Sequence, residues 1–489
     1  MRASTVALNI DLNRFPELSA YKRISAQIQE YIETGIIREK EKLPSIRMLA
    51  STLKTSTDTV KSAYTDLLDQ GFIQSVPRSG YIVSERLQIR TSDRSPSIFH
   101  QNRPCPLSAK ARKAAQCLQS NYARKQKSRP FDCFVNEKGE FISPEWVKEA
   151  VRITKSTWNH NNYSDPFGYL PLRKIICDRL RQTRGIIAEP HQIIITSGTV
   201  QSVSLCTQIL FNSGESFFLE DPSLPIFRKI FSFNGIQPIM IPVDENGANL
   251  DSGLKKDSSA GGILVTPSCQ YPMSVCLNKK RREQMIEWAR VTGSWIIEDD
   301  IDSLLTYEKN PTLPIRSMAG AEQCTIYLDS FSLLIYPGIR LGFMVVPEQL
   351  AESFAGAKLL MDRQCPEMTQ AMLTSFLGST SYESHLRKLI TRFKKRKTFL
   401  EELLGQHMKN YGRTLKCNNG SHLSFLLEEQ YIDSEISSLL DTKGVAATPI
   451  SKFCDANPVN GFVLGFGTFK EGELERAVKM MTALLKESN

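Results

Sequence analysis

The chain has 489 residues, 41% of them hydrophobic and 23% charged, which is typical of globular proteins and long enough to predict two or more domains. No apolar run approaches the roughly 18 residues that a membrane span needs, and the N-terminus lacks a basic start followed by an apolar block, so we expect a cytoplasmic protein. The eleven cysteines include no C-x-x-C pair, which argues against a zinc site or a disulfide framework.

The net charge of +9 is concentrated in one segment of the chain. Residues 1–83 carry a net charge of +2, residues 84–130 carry +9, and residues 131–489 carry −2. The excess positive charge therefore lies between two nearly neutral parts. Such a basic block is usually a solvated linker, but beside a nucleic-acid-binding module it can also contact phosphates.

The first 83 residues predict three helices and a β-hairpin. Apolar residues recur at helical spacing over residues 19–35, and Gly35 ends that run. Ser45 and Ser56 are placed to cap a short second helix and a longer third helix. Two β-like runs within residues 72–83 flank a Pro-Arg-Ser-Gly turn, which indicates a hairpin. Three helices followed by a hairpin predict a winged helix-turn-helix.

This predicted module resembles the GntR-type DNA-binding domain over residues 20–83. LPSIRMLASTL matches the family's second helix, TSTDTVKSAYTDLLDQGFI matches its recognition helix, and VPRSGYIV matches its wing. The resemblance implies a double-stranded DNA operator as the partner. The residues that it implies to lie at the DNA are Arg47, Ser56, Thr57, Thr59, Lys61, Arg78 and Gly80.

Thr57 departs from the family pattern, in which an arginine follows the serine of the recognition helix. A threonine can contact a phosphate or a thymine methyl group, but it cannot make the bidentate guanine contact, which is worth about 1–3 kcal/mol of base discrimination. We therefore expect an operator preference that differs from the family's commonest one. The alternative for this module is a three-helix protein-interaction domain.

Residues 84–130 show no sustained periodicity and are interpreted as a basic linker. Their helical-looking part, residues 107–129, contains seven cations with no acid among them: Lys110, Arg112, Lys113, Arg124, Lys125, Lys127 and Arg129. A solvated linker is the default interpretation of this segment. Phosphate contacts outside the operator core are the alternative.

From Phe131 onward, strand-like and helical segments alternate, which predicts an α/β domain with a mostly parallel sheet. The predicted strands are Ile193–Thr196, Phe217–Leu219, Pro238–Pro242, Ile263–Thr266, Trp295–Glu298 and Ile326–Leu328. The last of these runs into the turn Ser330-Phe331-Ser332. A Pro-Gly pair, Arg340 and a second apolar run follow, so two strands converge on one polar turn.

The motifs of this domain resemble, in order, those of the fold type I aminotransferase-like domain of MocR-type transcription regulators. They are YSDPFGYLPLRKII, TSGTVQS, FLEDP, VTPSCQYP, IIEDDID and DSFSLLIYPGIRLG. The resemblance covers residues 131–489 and implies a large domain followed by a smaller C-terminal α+β domain. In that family the residue after Phe-Ser is the lysine that forms a Schiff base with pyridoxal 5′-phosphate (PLP). Here it is Leu333, which cannot form one.

The phosphate-binding half of the family's cofactor site is retained. Ser197, Gly198 and Thr199 lie between a predicted strand and helix, where an anion is stabilised by the helix N-terminus. By the resemblance, the other cofactor-binding positions are Asp299, which pairs with the pyridine nitrogen, and Ser330, Ser332 and Arg340. The alternative for the first turn is a capped strand–helix junction, and Asp299 could instead be satisfied by backbone N–H groups.

The ring-binding half is altered. The family usually has tyrosines at the positions of Leu224 and Ile301 and a histidine at the position of Cys269. Together with Leu333, these replacements indicate that Schiff-base chemistry is no longer required. We therefore assign no catalytic residue, and PLP is expected to bind at most non-covalently.

Three hypotheses follow from these patterns. The first is a homodimeric regulator with a DNA-binding domain at residues 19–83, a linker at 84–130 and an effector and dimerisation domain at 131–489 that senses an anionic or phosphorylated small molecule. The second is a PLP-dependent aminotransferase-like enzyme with a DNA-binding appendage. The third is a dimerisation module without a ligand.

Overall fold

The computed structural model describes residues 8–77, 80–84, 106–121, 128–133, 144–155, 163–301, 304–308, 312–415 and 419–487. The chain divides into two compact units, residues 1–106 and 107–489. Within the described ranges, no helix is long and apolar enough to cross a membrane.

The first unit is a winged helix-turn-helix, which confirms the predicted fold. Its elements are the helices α1 (Ala20–Glu33), α2 (Ile46–Leu53) and α3 (Thr57–Asp69) and the strands β1 (Ile73–Val76) and β2 (Gly80–Val83). The two strands pair antiparallel, with Val76 opposite Gly80. Both predicted caps form, because the hydroxyl of Ser45 accepts a hydrogen bond from the Met48 N–H (3.2 Å) and that of Ser56 accepts one from the Thr59 N–H (3.0 Å).

Tyr64 ties the helices of this unit to its wing. Its side chain is fully buried and its hydroxyl donates to the carbonyl of Pro44 at 2.8 Å. Its ring packs edge-on against Tyr81 of β2, with a centroid distance of 4.9 Å. The Leu43 N–H donates to the Tyr81 carbonyl (2.9 Å), so the segment before α2 adds to the free edge of β2. These contacts set the position of the wing relative to α2 and α3.

The second unit is built on an eight-stranded, mostly parallel sheet, as predicted. Its strands are β3 (Ile193–Thr196), β4 (Ser216–Asp221), β5 (Gln237–Asp244), β6 (Gly247–Ala248), β7 (Gly262–Val265), β8 (Trp295–Asp299), β9 (Thr325–Ser330) and β10 (Gly342–Val345). Their order in the sheet is β3-β10-β9-β8-β7-β4-β5-β6. The pairs from β5 through β4, β7 and β8 to β9 are parallel, while β10 is antiparallel to both neighbours.

Helices cover this sheet and complete its hydrophobic cores. They are α4 (Ala109–Asn121), α5 (Pro144–Lys155), α6 (Leu170–Arg184), α7 (Thr199–Ile209), α8 (Pro225–Phe233), α9 (Leu250–Leu254), α10 (Lys279–Thr292), α11 (Ala351–Asp362) and α12 (Glu367–Leu377). The strands β7 and β9 in the middle of the sheet are buried throughout. This burial explains their continuous apolar runs, since a parallel sheet is covered on both faces.

A smaller α+β part follows, as the sequence predicts. It contains a four-stranded antiparallel sheet in the order β11-β12-β14-β13. Its elements are α13 (Thr380–His407), β11 (Gly412–Thr414), β12 (His422–Leu427), α14 (Asp433–Thr442), β13 (Thr448–Pro449), β14 (Gly461–Gly465) and α15 (Glu471–Glu487). Helices α13 and α15 pack together, and their buried faces extend the core of the second unit.

Helix α4 folds with the second unit, although its composition predicts a linker. It packs on α8, where Lys113 Nζ donates to the carbonyl of Ser232 (3.3 Å) and Lys110 Nζ lies 5.8 Å from the centroid of the Phe233 ring. Further along, Arg129 forms an ion pair with Asp441. Arg124, Lys125 and Lys127 lie outside the described residues.

Candidate functional site

A cavity of about 220 Å³ lies at the carboxyl ends of the sheet strands. The segments that follow β3, β7, β8 and β9 contribute to its lining, and so does Arg340, just before β10. Ligands of open α/β sheets bind at this edge, because the loops after neighbouring parallel strands converge there. The lining residues are Gly198, Thr199, Val200, Leu224, Ile226, Phe227, Thr266, Ser268, Cys269, Tyr271, Asp299, Asp300, Ile301, Ser330, Ser332 and Arg340.

The turn between β3 and α7 forms one wall of the cavity. Gly198 has φ +112°, a conformation that favours glycine, and a Cβ atom there would lie 3.2 Å from Nη2 of Arg340. The Arg340 guanidinium therefore lies directly against the Gly198 backbone. The Thr199 hydroxyl is buried and has no hydrogen-bond partner among the described residues. A helix N-terminus, a guanidinium and an unsatisfied hydroxyl together favour a bound anion.

Arg340 is positioned by the turn between β9 and β10. It has φ +49° and is exposed, and among the described residues it makes neither a hydrogen bond nor an ion pair. On the same turn, the hydroxyls of Ser330 and Ser332 are hydrogen-bonded to each other at 2.8 Å, and both residues line the cavity. The charge of Arg340 is therefore not neutralised by the described part of the chain. Ser197 differs from the other candidates, because it does not line the cavity.

Two consecutive aspartates at the end of β8 line the cavity: Asp299 ends the strand and Asp300 follows it. Asp300 accepts hydrogen bonds from the Tyr327 hydroxyl (2.9 Å), from Ser268 and from the buried guanidinium of Arg184. Asp299 is 5% exposed and lines the cavity beside it. A carboxylate at this place suits a protonated nitrogen of a ligand. Asp299 therefore lines the same cavity as Gly198, Thr199 and Arg340.

Burial changes the acidity of other carboxyl groups near this edge of the sheet. It raises the pKa of Glu298 to about 7, although the N–H groups of Ile315 and Arg316 donate to that carboxylate at 2.7 and 2.8 Å. Burial and the charge of Asp300 raise the pKa of Asp329 well above its usual value. Neither residue lines the cavity, but both lie in a low-dielectric interior, in which an uncompensated charge is costly.

The wall expected to hold a cofactor ring is mainly apolar. Leu224, Ile301 and Cys269 line it, as does Tyr271, whose ring packs edge-on against Phe453 at 5.2 Å. Leu333 lies elsewhere: it is 7% exposed, packs in the hydrophobic core and does not line the cavity. No lysine occurs among the described residues that line the cavity.

Sequence reasoning missed several residues of this site. Tyr271 and Ser268 both line the cavity and lie in the VTPSCQYP motif, from which only Cys269 was selected. That motif was therefore a usable signal for both residues. Phe227 had no such signal, because its position on the cavity wall depends on how α8 packs.

The expected DNA-contacting residues of the first unit are distributed over α2, α3 and the wing. Arg47, Ser56, Thr57 and Lys61 are exposed. Thr59 is half-buried, and its hydroxyl is 2.8 Å from that of Ser56, so it helps to shape the N-terminus of α3. Gly80 begins β2 with φ +98°. Arg78 lies outside the described residues.

The fold of the second unit matches solved aminotransferases. An archaeal alanine:glyoxylate aminotransferase is similar with a TM-score of 0.69 and 22% identity, over 78% of this chain and 96% of that one. A multiple substrate aminotransferase from Thermococcus profundus also gives a TM-score of 0.69 and 22% identity. That match covers 78% of this chain and 98% of the aminotransferase. Fold and cavity together define a winged helix-turn-helix protein with a fold type I aminotransferase domain.

Family comparisons give the more specific assignment. Residues 134–457 match the family model "Aminotransferase class I and II", and residues 20–83 match "Bacterial regulatory proteins, gntR family". The chain therefore belongs to the aminotransferase class I and II family and, with its gntR-family domain, to the MocR subfamily of GntR-type transcription regulators.

Curated relatives match over nearly their whole lengths. The HTH-type pyridoxine biosynthesis transcriptional regulator PdxR of Corynebacterium glutamicum is 28% identical, over 96% of both chains. The probable rhizopine catabolism regulatory protein MocR of Rhizobium meliloti is 25% identical, over 94% of both. An uncharacterized HTH-type transcriptional regulator of Bacillus subtilis, YdeL, is 27% identical, over 97% of this chain and 98% of its own. The chain is accordingly a DNA-binding transcription regulator of the GntR/MocR type.

Proposed function

We propose that the aminotransferase-like domain of this regulator dimerises and senses a small anionic or phosphorylated effector without Schiff-base chemistry. The observation that carries the proposal is the cationic end of the cavity, where Arg340 lies against Gly198 at the N-terminus of α7. Calorimetric titration of the full-length protein with inorganic phosphate and with PLP tests it.

The cavity residues fit part of PLP. Thr199, Gly198 and Arg340 would hold a phosphate group, and Asp299 would face a protonated ring nitrogen. When bound to an enzyme, PLP supplies an electron sink for amino-acid chemistry, which requires attachment through an amine. We assign only non-covalent binding here, with weak affinity for the ring, because Leu224 and Ile301 offer no polar contact. PLP is the first effector to test, since one relative is named as a regulator of pyridoxine biosynthesis.

The competing function is an aminotransferase with a DNA-binding appendage. The fold favours that alternative, but the lining contains no lysine among the described residues, and several relatives over the full length are named as regulators. We expect no PLP-dependent formation of a keto acid from any of the twenty amino acids. A chain that transaminates at a measurable rate would instead support the enzyme.

An exposed apolar surface beside the cavity supports dimerisation. Val200 lines the cavity, and Gln201 next to it donates to the sulfur of Met361 at 3.3 Å. The Arg363 guanidinium lies 3.9 Å from the centroid of the Tyr163 ring, which links that ring to the same region. The exposed large apolar residues in these segments are Tyr163, Val200, Leu360, Met361 and Met368. Exposed apolar patches of this kind mark interaction sites, and we assign this one to a second copy of the chain.

Leu360→Glu is expected to shift the protein from dimer to monomer in analytical ultracentrifugation. Leu360 is 89% exposed, so the change leaves the core intact, but a carboxylate in an apolar interface is strongly unfavourable. Ile187→Glu is the matched control, because Ile187 is 75% exposed and lies outside this surface. A Leu360→Glu protein that remains a dimer would contradict the assignment.

We also propose that the linker contacts phosphates. Removing Lys125 and Lys127 together should lower the slope of log affinity against log salt by about 0.9 per lost contact. Arg129 is left in place because it pairs with Asp441. The control removes two exposed lysines of the C-terminal part, Lys409 and Lys486. An unchanged slope would identify the segment as a solvated linker.

A further inference from the structure

Gln201 connects the turn of the candidate anion site to α11. Its side-chain oxygen accepts a hydrogen bond from the Ser197 N–H at 2.7 Å. Its side-chain nitrogen donates to a carboxylate oxygen of Asp362 at 2.8 Å. Gln201 itself does not line the cavity. Its route to the site is therefore the backbone of the turn.

Asp362 is in turn held by a buried cation. Lys358, one turn earlier on α11, is fully buried and its ammonium group pairs with the second carboxylate oxygen of Asp362. Removing an ammonium group from water is costly unless it is paired, so the Lys358–Asp362 pair has little freedom to rearrange. Helix α11 packs on α7, which places this fixed carboxylate beside Gln201.

We propose that Gln201 is a positioning residue for anion binding, held in place by the Lys358–Asp362 pair. The proposal rests on the proposed function of the cavity. It adds that the Gln201 side chain orients the turn between β3 and α7. Engaging the Ser197 N–H fixes the backbone just before Gly198, where the chain reverses into α7 with Arg340 against it. Without this bond, the longer contact of the Ser202 hydroxyl with the Gly198 carbonyl (3.4 Å) is the side-chain anchor on α7 that the turn retains among the described residues. The phosphate-facing groups then lose part of their preorganised geometry.

Gln201→Met tests the proposal, because methionine keeps the length of the side chain and removes its hydrogen bonds to Ser197, Asp362 and Met361. We expect a 2- to 10-fold weaker affinity for inorganic phosphate, about the effect of one hydrogen bond. We also expect faster amide hydrogen exchange at Ser197 in the ligand-free protein, measured by mass spectrometry on peptides covering residues 193–201. Gln208→Met is the matched control on the same helix, since Gln208 is exposed and its side-chain nitrogen donates to the Ser204 hydroxyl rather than to the turn.

A conservative rescue separates positioning from general stability. Gln201→Glu keeps an acceptor for the Ser197 N–H but places a carboxylate against Asp362, and it should weaken phosphate binding. Adding Asp362→Asn reverses the bond, because the asparagine amide can donate to Glu at position 201 while its oxygen still accepts from Lys358, and the negative charge that compensates Lys358 moves to position 201. This double variant should recover part of the affinity. A purely structural role would lower the melting temperature of these variants in parallel and leave the phosphate affinity of the folded protein unchanged.

The outcomes distinguish this proposal from the one on which it rests. If the wild-type protein binds phosphate and Gln201→Met binds it equally well, the positioning role is wrong while the effector site stands. If the wild-type protein binds no phosphate, the effector site is wrong, and the positioning role falls with it. Unchanged hydrogen exchange at Ser197 in Gln201→Met would overturn the positioning role in either case.

Discussion

Replacing Arg340 with alanine should weaken binding of inorganic phosphate and of PLP by roughly 10- to 150-fold. Hydrogen bonds to a charged group are worth about 1.5–3 kcal/mol each, and 1.4 kcal/mol corresponds to a factor of ten in affinity. Arg340 is exposed and has no ion pair within the described part of the chain, so its loss should not unfold the protein. Calorimetry on the two proteins, with matched circular dichroism spectra, measures the difference.

Two further variants sharpen this experiment. Arg340→Lys keeps the charge but loses the planar pair of donors, so it should bind phosphate with intermediate affinity. Arg476→Ala removes an exposed arginine that does not line the cavity and should leave the affinity unchanged. Phosphate binding that survives Arg340→Ala would place the anion elsewhere. Absence of binding in the wild-type protein would favour the dimerisation module without a ligand.

Arg47→Ala should cost on the order of 1–3 kcal/mol of binding free energy at the operator, which is the range for one good base contact. Arg47 is exposed near the start of α2, which is capped by Ser45, so the change should leave the fold of the first unit intact. Gel-shift titration of the full-length protein on a selected operator measures the effect. Arg14→Ala is the matched control, because Arg14 is exposed but pairs with Glu30.

Thr57→Arg should change which bases are preferred rather than the overall affinity. Thr57 is the first residue of α3 and is exposed, so an arginine there is free to make the bidentate guanine contact that threonine cannot make. Selection of operators from a random library by the two proteins compares their preferences directly. The same selected sequence for both proteins would argue against a role of position 57 in base recognition.

The local features of both units could be predicted from the sequence because they depend on neighbouring residues. Ser45 and Ser56 cap their helices as expected, since a hydroxyl at that position reaches the N–H three residues later. The predicted strand Ile193–Thr196 is observed with the same bounds, because its apolar run is bounded by turn residues. The candidates Gly198 and Thr199 also follow directly from this strand–turn–helix pattern.

Other features depend on contacts between distant parts of the chain. Helix α4 has the composition of a solvated linker, yet it packs on α8 through contacts such as that of Lys113 with Ser232. Leu333 was identified by its position in a motif, but no local pattern shows that its side chain packs in the hydrophobic core. Gln201 was not selected, because nothing near it in sequence indicates that its partner is Asp362.

By itself, the sequence determined the two domain types, the order of the main elements and most residues of the candidate anion site. These features depend on periodicity, capping and motif order, which are patterns of residues close together in the sequence. Only the tertiary structure decided that Arg340 lies against Gly198, that Asp300 is held by Arg184 while Asp299 lines the cavity, and that one wall of the cavity is mainly apolar. The physical reason is that parallel strands bring the ends of distant segments to one edge of a sheet.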